Sequence, residues 1–481
     1  MSTRSIYLLS SRALSPETIA VAFARTSRSP ESFREIAEEL TEEKSAQFHE
    51  KWVVGYGHSS VAEHAVLHIA FENVSRLAIE SIESNRLASY TEKSTRYQKW
   101  AAGDYYVPRV IAEGATAALY RETCDLLFAT YRRSLEPVKA VAQAKFPRKE
   151  GESEAKWDGR YRSKYVDVCR FLLPMSALAN VGMTANARVL ESAIRKMLSH
   201  PLEEVREIGG EAKQVALAET PTLVKYADRV PYLAESEAAL ASGAWQVAAG
   251  GEGEAAIAKR EAVTLVACEA DAEDRFLAAC LYRFGGTSFA DALAAVKGLG
   301  PDKRDALAAE ALGRLGKYDV PLRELEHVTY TFDALMDQGA YFEVKRHRMM
   351  TQTPQRLTAR LGYAVPRAID EAGIRPEYDA AMNSAAAAYE RLAADFPEEA
   401  AYVVPNGFNR RLLMTMNLRE VFHFCELRGT PNAHFSVRRI AGRVSELVMQ
   451  AHPTLARFMR CLCVACPRVV AGVVVRKGRV T

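Results

Sequence analysis

Two stretches of the chain alternate apolar and polar residues with a period of two. The apolar positions are Leu67, Ile69 and Phe71 in the first stretch and Val328, Tyr330 and Phe332 in the second. Because successive side chains of a strand point to opposite faces, each stretch is predicted to be a half-buried β-strand. A Glu-His pair precedes both strands, at Glu63-His64 and at Glu326-His327. This recurrence indicates an internal repeat.

Each half of the chain also opens with the same two patterns. The first half begins with an apolar run at residues 6–10, and helical periodicity follows at residues 18–25. The second half begins with an apolar run at residues 263–268, and helical periodicity follows at residues 275–283. Each pair of patterns predicts a short strand followed by an amphipathic helix that ends in an arginine.

Two further motifs recur in the same order in both halves. A polar or basic triplet follows each strand and helix, as Ser84-Asn85-Arg86 and as Arg346-His347-Arg348. An Asn-x-Arg motif lies twelve residues after Pro174 and twelve residues after Pro405, as Asn186-Ala-Arg188 and Asn417-Leu-Arg419. Both Asn-x-Arg motifs stand at the start of helical patterns.

Residues 241–258 contain four glycines and little periodicity, which is typical of a linker. The chain is therefore predicted to consist of a first repeat at residues 1–240 and a second repeat at residues 259–481. A duplication of this kind leaves two interpretations open. The repeats are either two structural copies with a shared core, or two copies that share a site.

Composition limits the function classes. The chain has 481 residues, and 63 Lys and Arg residues nearly balance 60 Asp and Glu residues, which leaves a net charge of +3. This balance excludes a protein whose main role is to coat nucleic acid or an acidic membrane. No apolar run approaches the roughly 18 residues of a membrane-spanning helix, and the amino-terminal residues do not resemble an export signal. A cytoplasmic protein with reduced cysteines is therefore expected.

Three cysteines near the end of the chain have a spacing seen in metal sites. They are Cys461, Cys463 and Cys466, and His452 lies nine residues before the first of them. Structural zinc takes four ligands, so three cysteines without a nearby fourth ligand favour buried free thiols. No metal site is predicted.

The stretch from Gly57 to Tyr97 resembles the flavin-dependent thymidylate synthase family. That family's signature is Arg-His-Arg-x-x-Ser, continued through Glu-x-Ser-x-Arg-Tyr. The positions of this chain in register with it are Arg86, Ser89, Glu92, Ser94, Arg96 and Tyr97. A later family block, with Thr-x-Asn-Leu-Arg followed by Leu-Arg, is similar to the segment that starts at Pro405 and contains Asn417, Arg419 and Arg428. The combination is specific, whereas any single piece is weak.

The resemblance implies a fold and a reaction. The implied fold is α+β, with two tandem repeats that are each an antiparallel sheet covered by helices. The family forms homotetramers with FAD and dUMP at subunit junctions, so a duplicated chain would be a covalent pseudo-dimer and two chains would pair as a homodimer of pseudo-dimers. The implied reaction is reductive methylation of dUMP at C5, with methylenetetrahydrofolate as carbon donor and NADPH as reductant of FAD.

The two halves depart from the family pattern in complementary ways. The first half lacks the Arg-His of its triplet but keeps the nucleotide-contacting stretch, and the second half keeps the triplet but lacks that stretch. The resemblance therefore implies one composite nucleotide site per chain, with a decayed mirror-image partner. Its substrate-binding residues are Glu92, Ser94, Arg96 and Arg170 from the first half and Arg428 from the second. Arg428 is the catalytic residue, since a guanidinium beside the pyrimidine stabilises negative charge on the ring.

The resemblance also implies a set of cofactor-binding residues. They are Ser60, Glu63, Asn186, Arg188, Arg346, His347, Arg348, Asn417, Arg419 and His423. Structural interpretations remain open for some site residues. Arg96 could form a surface salt bridge, Arg428 could be a cation at a helix C-terminus, and His423 could belong to a polar core network.

Two other functions also remain open. Ser81 and Ser84 replace the family's usual Gln and Arg, which leaves room for a flavoenzyme that acts on another pyrimidine nucleotide. If both sites have decayed, the chain is a non-catalytic, nucleotide-binding pseudoenzyme. Flavin content separates the pseudoenzyme from the two enzymes.

Overall fold

The structure is a computed structural model that describes residue 7 and residues 9–27, 29–94, 96, 98–247, 262–460 and 473–476. The helices before the linker are α1 (Pro16–Thr26), α2 (Phe33–Glu38), α3 (Glu42–Phe48), α4 (Arg76–Ile82), α5 (Arg109–Ala112), α6 (Ala117–Lys145), α7 (Glu154–Cys169), α8 (Ala187–Leu198), α9 (Glu203–Leu217) and α10 (Pro231–Val247). Those after it are α11 (Ala272–Gly285), α12 (Phe289–Lys297), α13 (Pro301–Leu312), α14 (Gln338–Val344), α15 (Arg367–Glu371), α16 (Arg375–Asp395), α17 (Leu418–Arg428), α18 (Phe435–Ala451) and α19 (Pro453–Ala456).

The strands form antiparallel sheets that these helices cover. They are β1 (Val66–Ser75), β2 (Ser89–Glu92), β3 (Leu178–Asn186), β4 (Val263–Cys268), β5 (Thr329–Asp337), β6 (Thr351–Pro354), β7 (Tyr363–Pro366), β8 (Asn409–Asn417) and β9 (Val473–Arg476). The strand orders are β1-β3-β2, β4-β5-β8-β6 and β7-β9. The predicted α+β class, with an antiparallel sheet in each repeat, is confirmed.

Strand register matches the two repeats residue by residue. Ser89 pairs with Thr184 in the first sheet, and Thr351 pairs with Thr415 in the second. Residue 89 therefore corresponds to 351, and residue 184 corresponds to 415. The strands β1 and β5 bury alternate side chains, as their period of two predicts. The same side of each sheet thus carries corresponding residues of the two repeats.

Corresponding helices begin with corresponding caps. The side chains of Asn186 and Asn417 accept hydrogen bonds from the backbone N–H groups of Val189 and Glu420 at the starts of α8 and α17. An amide oxygen at this position satisfies a donor that the first helical turn leaves unpaired. The Asn of each Asn-x-Arg motif therefore has a structural role in helix initiation.

The two repeats pack against each other with approximate two-fold symmetry. Pro174 forms a β-bridge with Pro405, which is its own counterpart in the other repeat. The backbone N–H groups of Met175 and Gly407 donate to the carbonyls of Val404 and Phe171, at 3.1 and 2.9 Å. Helices α6 and α16 pack together, and one hydrophobic core contains side chains of both. An isologous contact of this kind is how a symmetric dimer interface is built.

The sequence predictions for single elements have mixed outcomes. The helix at residues 18–25 and the strand and helix of the second repeat are present as α1, β4 and α11. The strand predicted at residues 6–10 is wrong for the described Tyr7 and Leu9, which lie in no strand. Of the predicted linker, residues 241–247 are helical and end α10, and residues 248–258 lie outside the described part, so the linker stays a prediction. The boundaries of the two repeats stay a prediction.

Two observations concern metal and membrane. Cys461, Cys463 and Cys466 lie outside the described residues. His452, nine residues before the first of these cysteines, is buried, and its Nδ1 is hydrogen bonded to the Tyr330 hydroxyl at 2.7 Å. Among the described residues, no helix is both long enough and apolar enough to span a bilayer.

Candidate functional site

The repeats meet at two corresponding places, each built from both halves of the chain. The first junction lies between the end of β2 and α7 of the first repeat and α14 and α17 of the second; its central residues are Glu92, Arg96, Asp167, Glu343, Arg346, His347 and Arg428. The second junction lies between α4 and α8 of the first repeat and β6 of the second; its central residues are Ser84, Arg86, Lys196, Arg348 and Thr351.

Arg96 is held by a buried carboxylate. Its Nε lies 3.0 Å from both carboxylate oxygens of Asp167, and its Nη2 lies 2.9 Å from Oδ2. Nη2 also donates to the carbonyl of Asn432 in the second repeat at 3.0 Å. Burial raises the pKa of Asp167, and the nearby guanidinium groups of Arg170 and Arg96 oppose that rise. Arg96 thus takes part in an ion pair and also contacts the second repeat.

A carboxylate of the second repeat joins the arginines of both repeats. Glu343 on α14 places Oε2 2.8 Å from Nη1 of Arg428 and Oε1 3.7 Å from Nη1 of Arg96. Arg428 is the last residue of α17, where a cation is favoured by the helix dipole. Its side chain nevertheless reaches back to α14. The sequence-predicted residues Arg96 and Arg428 therefore come together, although 332 positions separate them.

His347 is buried next to Arg428. Nε2 of His347 accepts a hydrogen bond from Nε of Arg428 at 2.9 Å, and Nδ1 lies 2.8 Å from Oε1 of Glu420. Because Arg Nε can only donate, Nδ1 carries the proton and donates to Glu420. Burial lowers the pKa of His347 despite the opposing effect of Glu420, which agrees with a neutral ring. Both ring nitrogens are therefore occupied within the protein.

Glu92 links the buried and exposed cations of the junction. Its Oε1 lies 2.8 Å from Nη1 of the buried Arg76, and its Oε2 lies 3.2 Å from Nη2 of Arg346. Burial alone would raise the pKa of Glu92, but Arg76, Lys345 and Arg346 together lower its pKa to about 2. The guanidinium of Arg346 is half exposed, and it borders a cavity of 290 Å³ with Glu92 and Arg348.

Two of the predicted substrate residues lie beside this network. Arg170 is buried, with Nη2 3.3 Å from the carbonyl of Gly339 and Nε 3.6 Å from Asp167. It stands behind Arg96 rather than at a cavity. The Ser94 hydroxyl accepts the backbone N–H of Arg96 at 3.2 Å and so shapes the turn that carries this arginine.

The predicted cofactor residues fall into two corresponding groups. Asn417, Arg419 and His423 border a cavity of 670 Å³ in the second repeat, and Ser60 and Glu63 border one of 610 Å³ in the first. Each cavity has a matching ion pair at its edge. Arg419 contacts Glu326 at 2.6 Å, and Arg188 contacts Glu63. Asn186 caps α8, as described above. The structure thus separates the group of the first repeat from that of the second.

Sequence analysis missed the acidic partners of the first junction. Asp167, Glu343 and Glu420 contact Arg96, Arg428 and His347. The sequence contains one sign that Glu343 is special. The corresponding residue of the first repeat is Ser81, which replaces the family's usual Gln. Asp167 and Glu420 are ordinary helical acids in the sequence, and nothing in their spacing distinguishes them.

Comparison with known proteins covers both repeats. A family model described as thymidylate synthase complementing protein matches residues 8–222 and 266–454. A UPF0159 protein from Chlamydia muridarum is 32% identical over 438 residues, which are 88% of this chain and 82% of the relative. A UPF0159 protein from Thermoplasma acidophilum is 26% identical over 460 residues, which are 88% of this chain and 90% of the relative.

A shorter relative matches about one repeat. A flavin-dependent thymidylate synthase from Clostridium tetani is 27% identical over 218 residues, which are 44% of this chain and 82% of that enzyme. The resemblance drawn from the motifs is confirmed. Since the family model matches most of the chain in two segments, this protein belongs to the thymidylate synthase complementing protein family.

Proposed function

We propose that this chain is a flavin-dependent enzyme of the thymidylate synthase type with one composite nucleotide site, at the first junction. The proposed reaction is methylation of dUMP at C5, with methylenetetrahydrofolate as carbon donor and NADPH as reductant. The observation that supports it is the meeting of Arg96 and Arg428, from different repeats, at the carboxylate of Glu343.

Binding of a nucleotide phosphate at this place follows from charge. Arg96 brings a guanidinium group to the junction, and a guanidinium suits phosphate oxygens because it donates in pairs, while Arg428 is left to face the pyrimidine ring. In the structure both guanidinium groups face carboxylates. A bound phosphate dianion would take the place of Glu343 beside Arg96, where the two side chains are 3.7 Å apart. It would leave Asp167 in place, because that carboxylate lies 2.9 Å from Arg96.

The residues of the second repeat fit a flavin nucleotide. The 670 Å³ cavity beside α17 has the size of small-molecule sites, and its lining combines Asn417, Arg419 and His423 with the exposed ring of Tyr318. Arg346 would hold the flavin phosphates, and the hydrogen bond from Arg428 to His347 would keep Arg428 in position. When bound, the flavin supplies hydride transfer, which amino-acid side chains cannot perform.

Arg428 has the catalytic role in this proposal. A guanidinium next to the pyrimidine ring stabilises negative charge that develops on the ring oxygens. Its orientation is set by Glu343 on one side and His347 on the other. Ser94 is not assigned as a nucleophile, because its hydroxyl is hydrogen bonded to a backbone N–H and no general base adjoins it in the described residues.

A second candidate is a flavoenzyme that acts on another pyrimidine nucleotide. Glu343 favours it, because a carboxylate can only accept hydrogen bonds and would accept one from an exocyclic amino group as well as from a ring N–H. A comparison of dUMP with dCMP as ligands separates the two candidates. A homodimer of these pseudo-dimers is the assembly that we propose for either.

The test uses the visible absorption spectrum of the purified full chain. We expect added FAD to bind, and its spectrum to change when dUMP is added. Arg428→Ala should abolish the change that dUMP causes, whereas Arg391→Ala, an exposed α16 arginine paired with Asp395, should leave it intact. Formation of dTMP with methylenetetrahydrofolate and NADPH then tests the reaction. Failure to bind FAD would overturn the proposal in favour of the pseudoenzyme.

A further inference from the structure

The second junction contains a cavity of 520 Å³ between the repeats. Its described lining includes the end of α4 and the turn after it, the end of α8, and residues of β6. These elements correspond to those of the first junction, with the repeats exchanged. Its volume falls within the range of sites for small ligands.

Two cations of this cavity donate to the turn after α4, and a third, Arg86, belongs to that turn. Nζ of Lys196 donates to the hydroxyl of Ser84 at 3.0 Å, and Nη1 of Arg348 donates to the carbonyl of Arg86 at 3.1 Å. Nη2 of Arg86 donates to the hydroxyl of Thr351 at 3.1 Å. All of these acceptors are uncharged, and each cation keeps further N–H donors beyond those used.

None of these three cations forms an ion pair with a carboxylate within the described part of the chain. The nearby carboxylates have other partners: Glu80 pairs with Arg410, and Glu83 pairs with Lys345, both at 2.8 Å. Glu237 is the remaining acidic residue of the described lining. Three cations against Glu237 leave two positive charges, which equals the charge of a phosphate monoester with opposite sign.

The corresponding acids of the first junction are absent from the second. Ser81 corresponds to Glu343, so the second junction has a hydroxyl where the first has the carboxylate that joins its arginines. Glu398 corresponds to Asp167, but it pairs with Arg356 at 2.7 Å and does not border the cavity. Burial also lowers the pKa of Lys196, and a bound anion would oppose that effect.

We propose that the second junction binds a phosphate monoester through Arg86, Lys196 and Arg348. This site is separate from the nucleotide site proposed at the first junction and does not depend on it. It replaces the interpretation of the second junction as a decayed copy. Lys196 has no cationic counterpart in the first junction, where residue 427 is a leucine, whereas Arg86 and Arg348 are each other's counterparts.

The experiment is calorimetric titration of the full chain with AMP and with inorganic phosphate at low salt. AMP carries a phosphate monoester without a pyrimidine. We expect Lys196→Met to weaken AMP binding at least tenfold, because a charge-assisted hydrogen bond is lost. Lys196→Arg should retain most of the affinity. Met is a good helix former, so the first variant is expected to fold.

Arg391→Ala, the exposed α16 arginine paired with Asp395, serves as the control and should leave AMP binding unchanged. The proposal is overturned if neither AMP nor phosphate binds, if Lys196→Met binds AMP as well as the parent chain does, or if Arg428→Ala alone abolishes binding. Failure of the flavin and dUMP experiment would leave this result unaffected, so the two proposals fail separately.

Discussion

The two junctions have the same backbone arrangement but differ in the positions of their carboxylates. Strand register gives each residue of the first junction a counterpart in the second. At the first, Asp167 and Glu343 pair with Arg96 and Arg428; at the second, the counterparts are Glu398, Ser81, Thr358 and Met197. The first junction is a network of ion pairs, and the second is a cavity with three cations that form no ion pair with a carboxylate of the described residues. A duplicated fold has therefore placed two different electrostatic environments in equivalent positions.

The difference shows how a duplication frees one site to change. In a homodimer both junctions contain the same residues by symmetry. A covalent pseudo-dimer removes that constraint. Ala401 in the position that corresponds to Arg170, and Lys196 in the position that corresponds to Leu427, therefore each affect one junction only. The complementary departures from the family signature are the sequence record of this freedom.

The largest predicted difference between the junctions is in the free energy of unfolding that is lost when Asp167 or its counterpart Glu398 is replaced. The side chain of Asp167 is 4% exposed and contacts both Arg96 and Arg170, whereas that of Glu398 is 28% exposed. Asp167→Ala should lower the free energy of unfolding by about 3–5 kcal/mol, since it leaves a buried arginine without its partner. Glu398→Ala should cost under about 1 kcal/mol. Urea denaturation measures both, and equal losses would contradict the comparison.

Glu92 should give the first junction a pH-dependent contribution to stability. The pKa of Glu92 is lowered from 4.5 to about 2, so its carboxylate stabilises the folded state above pH 4.5. This stabilisation, on the order of 3 kcal/mol, is lost as the pH falls from 4.5 towards 2. In Glu92→Gln the unfolding free energy should be lower at neutral pH and should vary less over that window. The counterpart of Glu92 is Pro354, which cannot titrate.

The control for this measurement is Glu390→Gln. Glu390 is a partly exposed glutamate that pairs with Arg360 on the surface, so this variant should keep the parent's decline in stability at acid pH. A decline in Glu92→Gln as steep as that of the control would show that Glu92 does not stabilise the junction through its charge.

The smallest predicted difference is in the coupling energies of the ion pairs at the 670 Å³ and 610 Å³ cavities. The side chains of Arg188 and Glu63 are 50% and 43% exposed, and those of Arg419 and Glu326 are 30% and 28% exposed. Double-mutant cycles should give coupling energies of about 0.2–1 kcal/mol, with the Arg419 pair at the upper end because it is less screened. A stronger coupling in the Arg188 pair would reverse the ranking.

Local elements were largely predictable from the sequence. Alternation identified β1 and β5, and the Asn-x-Arg motifs identified the starts of α8 and α17. These signals depend on neighbouring residues, so they can be seen without the tertiary structure. The strand predicted at residues 6–10 failed for Tyr7 and Leu9, because an apolar run too short for periodicity does not specify a strand.

The sequence predicted the arginines of the candidate site but, apart from Glu92, not its carboxylates. The motifs identified Arg96 and Arg428 as members of one site, and the fold brings them to the same carboxylate. Asp167 and Glu420 carry no motif, and their importance comes only from burial next to an arginine and a histidine.

The amino-acid sequence was sufficient to establish the duplication, the α+β class and which half had kept which part of the family signature. Only the tertiary structure decided how each charge is paired and that, among the described residues, the cations of the second junction have no carboxylate in an ion pair with them. The physical reason is that an ion pair depends on distance and burial, which packing between the repeats sets. Whether a guanidinium finds a carboxylate partner depends on residues that are hundreds of positions away in the sequence. No local sequence pattern indicates the outcome.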